Sequence, residues 1–464
     1  MLISRGARCM VAGLLWFVCG AAVASDRPNI LLIYVDDLGY GDLASYGHPV
    51  IQTPNLDALA ASGMRLTNYY APSALCSPSR AGLLTGRYPY RLGIKSWIPA
   101  DSEIYLRSDE ITLAEMTRSV GYSTALVGKW HLNSDLGSQT EPQPTDQGFD
   151  YFYGHNAFQI PTNKDPVNLY RNGRSLGVQK GYTAALYADE AMDWLTRREV
   201  DKPFFLMLSM AEPHTTFENP PAYNQMYAEF TQGKIEPIQS GHARPQKDQL
   251  VPRGPGEYYA NITYMDAQIG RVLAHLEVLM LEEKTVVVFA SDNGPVTSAW
   301  LQWYEVNAHG STGGYRGRKH FLYEGGIRVP AIVRYPGLTQ PGSVSNELVS
   351  GLDLFTTLSK IAGAELPQDR PIDGIDISTI LLGKALPDRT MFWALPGPSS
   401  LEYAIRREGW KLLVDKQNNP VELYNLADDP LELFNRIHSE PARVKILLAL
   451  LSRTLASIDQ DPMG

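Results

Sequence analysis

Cysteine is scarce in this 464-residue sequence, which contains only Cys9, Cys19 and Cys76. The first two lie in an N-terminal segment that is expected to be removed, so Cys76 would remain alone. A single cysteine excludes an internal disulfide scaffold. Cys76 then has two interpretations: a small buried hydrophobic side chain, the common fate of a free cysteine, or a reactive group.

Basic residues are outnumbered by acidic ones. The chain has 41 Lys and Arg against 50 Asp and Glu, a formal net charge of −9. Loss of Arg5 and Arg8 with the N-terminal segment gives 39 − 50 = −11 for the mature chain. Wholesale nucleic-acid binding requires a basic face, and this balance argues against it. Any anionic ligand must therefore be bound by a local cluster of cations.

Long apolar runs are absent beyond the N-terminus, so no membrane span is predicted. The N-terminus carries Arg5 and Arg8, then the apolar run "MVAGLLWFVCGAAVA", then the small residues Ala22 to Ala24. This order is typical of a secretory signal peptide over residues 1–24. We expect a secreted, periplasmic or lysosomal protein, depending on the host. Lipidation of Cys19 is the alternative.

Three short apolar runs, at 29–35, 203–210 and 285–291, predict buried strands of a parallel sheet. Segments with helical spacing of apolar residues lie at 53–63, 112–121 and about 257–280. This alternation predicts an α/β sheet with right-handed crossovers. Ligands bind at the carboxyl ends of the strands in such sheets.

The pattern changes towards the C-terminus. Residues 216–256 predict a long loop, and residues 362–390 a linker. After the linker, "YAIRREGWKLLVD" and "PVELYNLADDP" predict strands of a small antiparallel sheet, and "ARVKILLALLSRTLASI" predicts a closing helix. We therefore predict a large domain over 25–383 and a smaller one over 384–464.

Polar residues directly follow two of the predicted strands. Asp36 and Asp37 follow the first strand, and Asp292 and Asn293 follow the strand at 285–291. If these strands are neighbours, at least four oxygen donors meet at one sheet edge. That set suits Ca²⁺ or Mg²⁺ better than Zn²⁺ or Cu²⁺. Taken singly, each pair is also typical of a turn after a strand.

Cys76 precedes a predicted helix start, with Ser77 as the N-cap and Pro78 at the first helical position. Free N–H groups at that end favour an anion, which Arg80 can face from one turn further along. Four more cationic candidates lie near the ends of predicted strands or in loops: Lys129, His131, His214 and Lys319. Each alone is typical of a surface lysine or a structural histidine. Together they predict a cation-lined pocket for a tetrahedral oxyanion beside a metal.

The stretch "CSPSRAGLLTGR" at 76–87 matches the type I sulfatase signature, Cys-x-Pro-Ser-Arg followed by Thr-Gly-Arg. The blocks "PNILLIYVDDLGYGD", "GYSTALVGKWHL", "SDNG" and "YEGGIRVP" appear in the expected order. The chain thus resembles type I sulfatases, and is most similar to the arylsulfatase A and N-acetylgalactosamine-6-sulfatase group. This resemblance implies an alkaline-phosphatase-like α/β fold. Its mixed, mostly parallel sheet is sandwiched by helices, and a small C-terminal α+β subdomain carries an antiparallel sheet.

The resemblance also implies a modified nucleophile. In type I sulfatases the signature cysteine is oxidised to Cα-formylglycine. One hydroxyl of its hydrated aldehyde attacks sulfur, and the other releases sulfate. This implies oxidation of Cys76 by a formylglycine-generating or other sulfatase-maturating enzyme. One Ca²⁺ would be bound by Asp36, Asp37, Asp292, Asn293 and the modified Cys76.

Further roles follow from the resemblance. Asp292 would help to deprotonate the attacking hydroxyl, and Arg80 and Lys129 would stabilise the hydrated aldehyde. His131 would take the proton that triggers sulfate release. His214 and Lys319 would hold sulfate and stabilise or protonate the departing oxygen. Fixed cations there act mainly on the transition state. One family position that often contacts sulfate stays open between His155 and Asn156.

The predicted substrate is a sulfated galactose or N-acetylgalactosamine unit of a polysaccharide or glycosaminoglycan, with aryl sulfates as surrogates. Four aromatic residues flank the signature blocks and would form platforms for sugar rings, or else pack ordinarily: Trp97, Trp300, Trp303 and Tyr304. Two other functions stay open. One is a phosphate-monoester or phosphonate hydrolase on the same fold, and the other a non-catalytic, calcium-dependent binder of sulfated glycans.

Overall fold

A ten-stranded mixed sheet forms the centre of the protein. The computed structural model describes residues 27–231, 234–235, 251–252, 255–296, 309–396 and 400–461. In spatial order the strands are β13 (Ser343–Ser345), β2 (Met64–Leu66), β12 (Ala331–Arg334), β11 (Thr285–Ser291), β1 (Asn29–Val35), β8 (Phe204–Ser209), β4 (Ser123–Lys129), β5 (Tyr151–His155), β6 (Tyr170–Arg171) and β7 (Arg174–Ser175). The pairings from β11 to β5 are all parallel, whereas β12 and the β5–β6–β7 end pair antiparallel. The predicted mixed, mostly parallel sheet is confirmed.

The central strand β1 is buried on both sides, as its continuous apolar sequence predicts. Side chains of a strand alternate between its two faces. Ile30, Leu32 and Tyr34 accordingly belong to one hydrophobic core, and Leu31 and Ile33 belong to the other. The sheet is therefore covered by a helical layer on each face.

The helices are α1 (Pro54–Ser62), α2 (Cys76–Thr85), α3 (Leu113–Ser119), α4 (Thr183–Arg197), α5 (Pro221–Met226), α6 (Gly256–Val278), α7 (Glu324–Ile327), α8 (Leu352–Ala362) and α9 (Pro441–Asp459). Short 3₁₀ turns lie at Ala44–Tyr46, Ala228–Phe230, Glu282–Lys284 and Ser378–Leu382. Helices α2, α3 and α8 supply apolar side chains to the first core, and α1, α4 and α6 to the second. The three helices predicted at 53–63, 112–121 and 257–280 are confirmed as α1, α3 and α6.

A four-stranded antiparallel sheet follows near the C-terminus. Its strands are β15 (Met391–Ala394), β16 (Leu401–Arg407), β17 (Trp410–Asp415) and β18 (Pro420–Asn425). One face packs on α9 through Leu412, Leu423 and Leu447. The other face packs on residues of the large domain, among them Tyr70, Leu75 and Ile327. There Trp393 Nε1 donates to the carbonyl of Ala71 at 2.9 Å. The predicted small sheet and closing helix are both present.

Two short pairings complete the topology, β3 (Tyr69–Tyr70) with β14 (Val349–Ser350), and β9 (Lys234–Ile235) with β10 (Val251–Pro252). Within the described residues, no helix is both long enough and apolar enough to span a bilayer. The segment at 1–24, predicted to be a signal peptide, lies outside the described residues, as does most of 232–254.

Candidate active site

The acidic residues that follow β1 and β11 meet at one sheet edge. The two strands pair in parallel with Val35 opposite Ser291, which confirms that they are neighbours. The backbone N–H of Asp37 donates to Asp292 Oδ1 at 3.1 Å, and Asn293 Nδ2 donates to Asp37 Oδ1 at 2.7 Å. Asp37 has φ of 67°, a left-handed conformation that aspartate tolerates better than most residues. The sharp turn points these polar groups back over the strand ends.

Cys76 is the first residue of α2, which corrects the helix start predicted from Ser77 and Pro78. The N-cap is Leu75, with extended φ and ψ of −145° and 151°. The hydroxyl of Ser77 does not cap the helix but accepts from the backbone N–H of Ile98 at 3.0 Å. Pro78 then lies in the first turn, where no intrahelical N–H is lost. Cys76 therefore starts the helix rather than preceding it.

Donor atoms of Asp36, Cys76 and Asp292 lie within 4.8 Å of one another. Three buried oxygens around them, Asp36 Oδ1, Asp37 Oδ2 and Asn293 Oδ1, have no hydrogen-bond partner among the described residues. Buried polar atoms without a partner are rare and costly. Carboxylate and amide oxygens are the ligands that a hard divalent cation prefers. The donor set thus fits Ca²⁺.

Three buried cations face these carboxylates. Arg80 donates to Asp292 Oδ2 through Nε and Nη2, at 3.2 and 2.9 Å, and through Nη1 to Ser209 Oγ at 2.6 Å. Lys129 Nζ lies 2.5 Å from Asp36 Oδ2. Lys319 Nζ lies 2.5 Å from Asp37 Oδ1 and 3.2 Å from Cys76 Sγ. The sheet edge thus brings Arg80, Lys129 and Lys319 together, as the sequence predicts.

Two histidines complete the predicted set. The Nε2 of His131 is 3.1 Å from the carbonyl of Ile98, which requires a proton on Nε2 and leaves Nδ1 as an acceptor. Burial, followed by Lys129 and Arg80, holds the pKa of His131 well below its usual range. His214 Nε2 is 3.6 Å from Asp37 Oδ2, and burial lowers the pKa of this histidine also. Burial therefore favours the neutral form of both imidazoles.

The electrostatics of the carboxylates and the thiol are set by burial and by these pairs. Burial and then Asp36 raise the pKa of the Cys76 thiol to about 12, so the unmodified thiol is not a thiolate at pH 7. Burial disfavours ionised Asp36, but Lys129, His214 and Arg80 outweigh it and hold the Asp36 pKa well below its usual range. Burial and then Asp36 raise the pKa of Asp292 to about 7. A bound divalent cation would lower both raised values.

His155 and Asn156 differ in whether their polar atoms are used. Asn156 Oδ1 accepts from the backbone N–H of His131 at 3.1 Å, and its Nδ2 donates to the carbonyl of Asn133 at 2.8 Å. His155 Nδ1 pairs with Tyr187 Oη at 2.5 Å, and its buried Nε2 has no hydrogen-bond partner among the residues that the structure describes. Asn156 therefore supports the turn that carries His131, and His155 is the better candidate for a ligand contact.

An aromatic pair, Trp97 and Phe158, lies beside Lys129, His131 and His214. The sequence pattern indicates Trp97 but gives no signal for Phe158. The ring centroid of Phe158 is 5.5 Å from that of His214, 6.2 Å from that of His131 and 6.2 Å from that of Trp97, and Lys129 Nζ lies 5.9 Å from it. Trp97 and Phe158 are partly exposed, whereas the cations beneath them are buried. Trp300, Trp303 and Tyr304 lie outside the described residues.

Comparison with known proteins agrees with this geometry. The sulfatase family model matches residues 28–364, well over half of the chain. The chain is a member of the sulfatase family. It is a sulfuric ester hydrolase. A second family model, the C-terminal part of N-sulphoglucosamine sulphohydrolase, matches residues 313–460.

The sulfatase relatives cover almost all of the chain. Arylsulfatase A of Bos taurus is 35% identical, over 90% of this chain and 85% of its own. N-acetylgalactosamine-6-O-sulfatase of Bacteroides thetaiotaomicron is 31% identical, over 92% of this chain and 93% of its own. Among solved structures, Ps i-CgsB in complex with k-i-k-neocarrahexaose superposes with a TM-score of 0.77 at 26% identity, over 92% of each chain. The alkaline-phosphatase-like fold expected from the sequence is confirmed.

Proposed function

We propose that this sulfatase cleaves sulfate monoesters with a Cα-formylglycine made from Cys76 and one Ca²⁺ held by Asp36, Asp37, Asp292 and Asn293. The observation that carries the proposal is the position of Cys76. Its sulfur is 3.2 Å from Lys319 Nζ, beside Asp36 and Asp292, yet the thiol has a pKa of about 12. A protonated thiol is a poor nucleophile and a poor metal ligand, so oxidation of residue 76 supplies what the site requires.

The side chains of the site have roles that fit this chemistry. When present, the hydrated aldehyde supplies a hydroxyl nucleophile and a second hydroxyl that releases sulfate, and Ca²⁺ draws charge from the sulfate oxygens. Arg80 and Lys129 orient residue 76, and Lys319 and His214 bind the sulfate and the departing oxygen. The Nδ1 of His131 is an acceptor without a hydrogen-bond partner in the described part of the chain, which suits a proton acceptor during sulfate release. Asp292 is the base beside residue 76.

The charge balance supports an anionic substrate. The three carboxylates Asp36, Asp37 and Asp292 face three cations, Arg80, Lys129 and Lys319. These charges cancel when all six groups are ionised. A divalent cation then adds two positive charges to the pocket, and a sulfate monoester, which carries one negative charge, offsets one of them. In a buried site such compensation reduces the cost of unpaired charge.

The substrate that we propose is a sulfated galactose or N-acetylgalactosamine unit of a polysaccharide or glycosaminoglycan. Support comes from the curated relative named for N-acetylgalactosamine-6-O-sulfatase activity. Partly exposed Phe158 and Trp97 also offer apolar faces beside the cations, and a sugar ring packs well on such faces. Aryl sulfates would be hydrolysed as surrogates because an aryl ring uses the same faces.

Phe158→Ala is expected to raise the KM for a sulfated oligosaccharide about tenfold while kcat changes little, since the ring contributes to binding about equally before and during the reaction. Steady-state kinetics on a sulfated disaccharide measures both constants. Phe158→Tyr, which keeps the ring, is the matched control and should retain the wild-type KM. An unchanged KM in Phe158→Ala would show that the ring serves packing alone.

We further propose that residues 1–24 direct export, which gives a secreted, periplasmic or lysosomal enzyme according to the host. Export would place the chain in contact with a sulfatase-maturating enzyme, the partner that oxidises Cys76. In that reaction the Cβ–S bond breaks and sulfur leaves as hydrogen sulfide, a carbonyl oxygen takes its place, and Cβ gives up two electrons to an oxidant supplied through the maturating enzyme.

Peptide mass spectrometry across residue 76, on protein secreted by its native host, tests the nucleophile. We expect a mass about 18 Da below that of the cysteine form, the difference between thiol and aldehyde. Rates on matched aryl sulfate and aryl phosphate esters, measured with the same preparation, should favour the sulfate. An unmodified Cys76 in a preparation that binds sulfated glycans without turnover would instead support the calcium-dependent binding protein.

A further inference from the structure

The small C-terminal sheet places a fully buried lysine behind the active site. Lys411 lies on β17, and its Nζ is 3.0 Å from Glu324 Oε1 and 3.0 Å from Glu432 Oε1. All three residues are at most 1% exposed. A buried charge is costly unless it is paired and hydrogen-bonded, so this triad tolerates little displacement.

Glu324 is the member of the triad that leads towards the site. Its Oε2 accepts from Tyr70 Oη at 2.5 Å and lies 3.5 Å from Arg328 Nη1. Its backbone N–H donates to Glu432 Oε2 at 2.7 Å. Both the side chain and the backbone of Glu324 are therefore fixed at the start of α7.

The α7 turn in turn holds two loops that carry site residues. The N–H of Gly294, the residue after Asn293, donates to the carbonyl of Gly326 at 2.9 Å. The N–H of Gly325 donates to the carbonyl of Arg316, in the loop that leads to Lys319, at 2.7 Å. The contact is tight, because a Cβ on Gly294 would lie 2.0 Å from the carbonyl oxygen of Gly325. A shift of the turn must therefore move both loops.

We infer that Lys411 is a positioning residue of the active site: it fixes the Glu324 turn and, through that turn, Asn293 and Lys319. The inference rests on the proposed function, which gives those two residues their roles in calcium and sulfate binding. Lys411 acts through Glu324 and is separated from the reacting atoms by it. Residues that orient metal ligands typically change metal affinity or activity 10- to 100-fold when they are replaced.

The test uses a variant that removes the ammonium group without leaving an extra buried charge. Lys411→Met alone would leave the carboxylates of Glu324 and Glu432 buried without their cation. The double variant Lys411→Met/Glu432→Gln is therefore used. In it Glu324 keeps its contacts with Arg328 and Tyr70. We expect titration with calcium chloride to show about 10- to 100-fold weaker binding. The kcat/KM for 4-nitrophenyl sulfate should fall by a similar factor, while the near-ultraviolet circular dichroism stays native.

The control is a buried ion pair that makes no hydrogen bond to a proposed site residue among the described residues. Arg389 Nη1 lies 2.6 Å from Asp353 Oδ2, at the start of α8. Arg389→Met/Asp353→Asn should lower the thermal midpoint but leave calcium affinity at the wild-type value. A folded Lys411→Met/Glu432→Gln protein with wild-type calcium affinity and kcat/KM overturns the inference alone. A correctly matured wild-type protein that neither binds calcium nor cleaves sulfate esters overturns the proposed function and the inference together.

Discussion

Replacing Cys76 by alanine is expected to abolish turnover, with kcat for an aryl sulfate falling about 10⁶-fold, the size of effect seen when a covalent nucleophile is removed. The protein should stay folded, because the substitution changes one small side chain at a helix N-terminus and costs about 1 kcal/mol of unfolding free energy. Kinetics on 4-nitrophenyl sulfate and a thermal melt measure the two quantities. Mass spectrometry of the wild-type enzyme at residue 76 must accompany them.

Ser77→Ala is the matched control for this variant. Ser77 is the next residue of the same buried turn, but its hydroxyl faces the backbone of Ile98 rather than the carboxylates. It should therefore retain turnover within a few-fold of wild type. If Cys76→Ala hydrolyses aryl sulfate at the rate of the modified wild type, residue 76 is not the nucleophile.

Asp37→Asn is expected to weaken calcium binding about 100- to 1000-fold and to lower kcat/KM by a comparable factor, because it removes a full negative charge from a proposed calcium ligand. Asparagine also tolerates the left-handed φ of 67° at this position, so the backbone turn should persist. Calorimetric titration with calcium chloride measures the affinity. In wild type, a chelator should remove activity and added Ca²⁺ should restore it. Calcium affinity is the better readout than activity, because the variant also removes the ion-pair partner of Lys319, and that loss alone can change kcat/KM.

Asp42→Asn is the control, since Asp42 is a second buried carboxylate on the same loop. Its oxygens are fully used by the N–H groups of Gly39 and Ser311 and by Tyr258 Oη. The variant should lose thermal stability and keep wild-type calcium affinity. Equal loss of calcium binding in the Asp37 and Asp42 variants would mean that Asp37 acts through folding and not as a ligand.

Much of the sheet could be predicted from the sequence because its central strands are buried on both faces. The apolar runs at 29–35 and 285–291 coincide with β1 and β11, and the acidic residues after them necessarily meet once the strands pair. The start of α2 was predicted less accurately than these strands. Ser77 and Pro78 form a favourable capping pattern, but the Ser77 hydroxyl is used by a tertiary contact with Ile98.

The positions of Phe158 and Lys411 could not be predicted from the sequence around them, because tertiary contacts determine both. Phe158 lies in a loop without periodicity, and its position beside Lys129, His131 and His214 depends on strands from distant parts of the chain. Lys411 lies among apolar residues of a strand, where a lysine normally points to solvent. Its burial is explained only by Glu324, 87 residues earlier, and by Glu432 in a later loop. Tertiary partners decide both positions.

Cys76 is synthesised well before one of the residues that bury it. Lys319, which covers its sulfur, lies 243 residues further along the chain. At about 5–20 residues per second, that length takes on the order of 10 to 50 s to synthesise. The pocket around residue 76 cannot close during that interval, because one of its walls does not yet exist. The thiol of Cys76 thus stays uncovered by Lys319 for tens of seconds during synthesis, and that interval is the one that the proposed maturating enzyme would use.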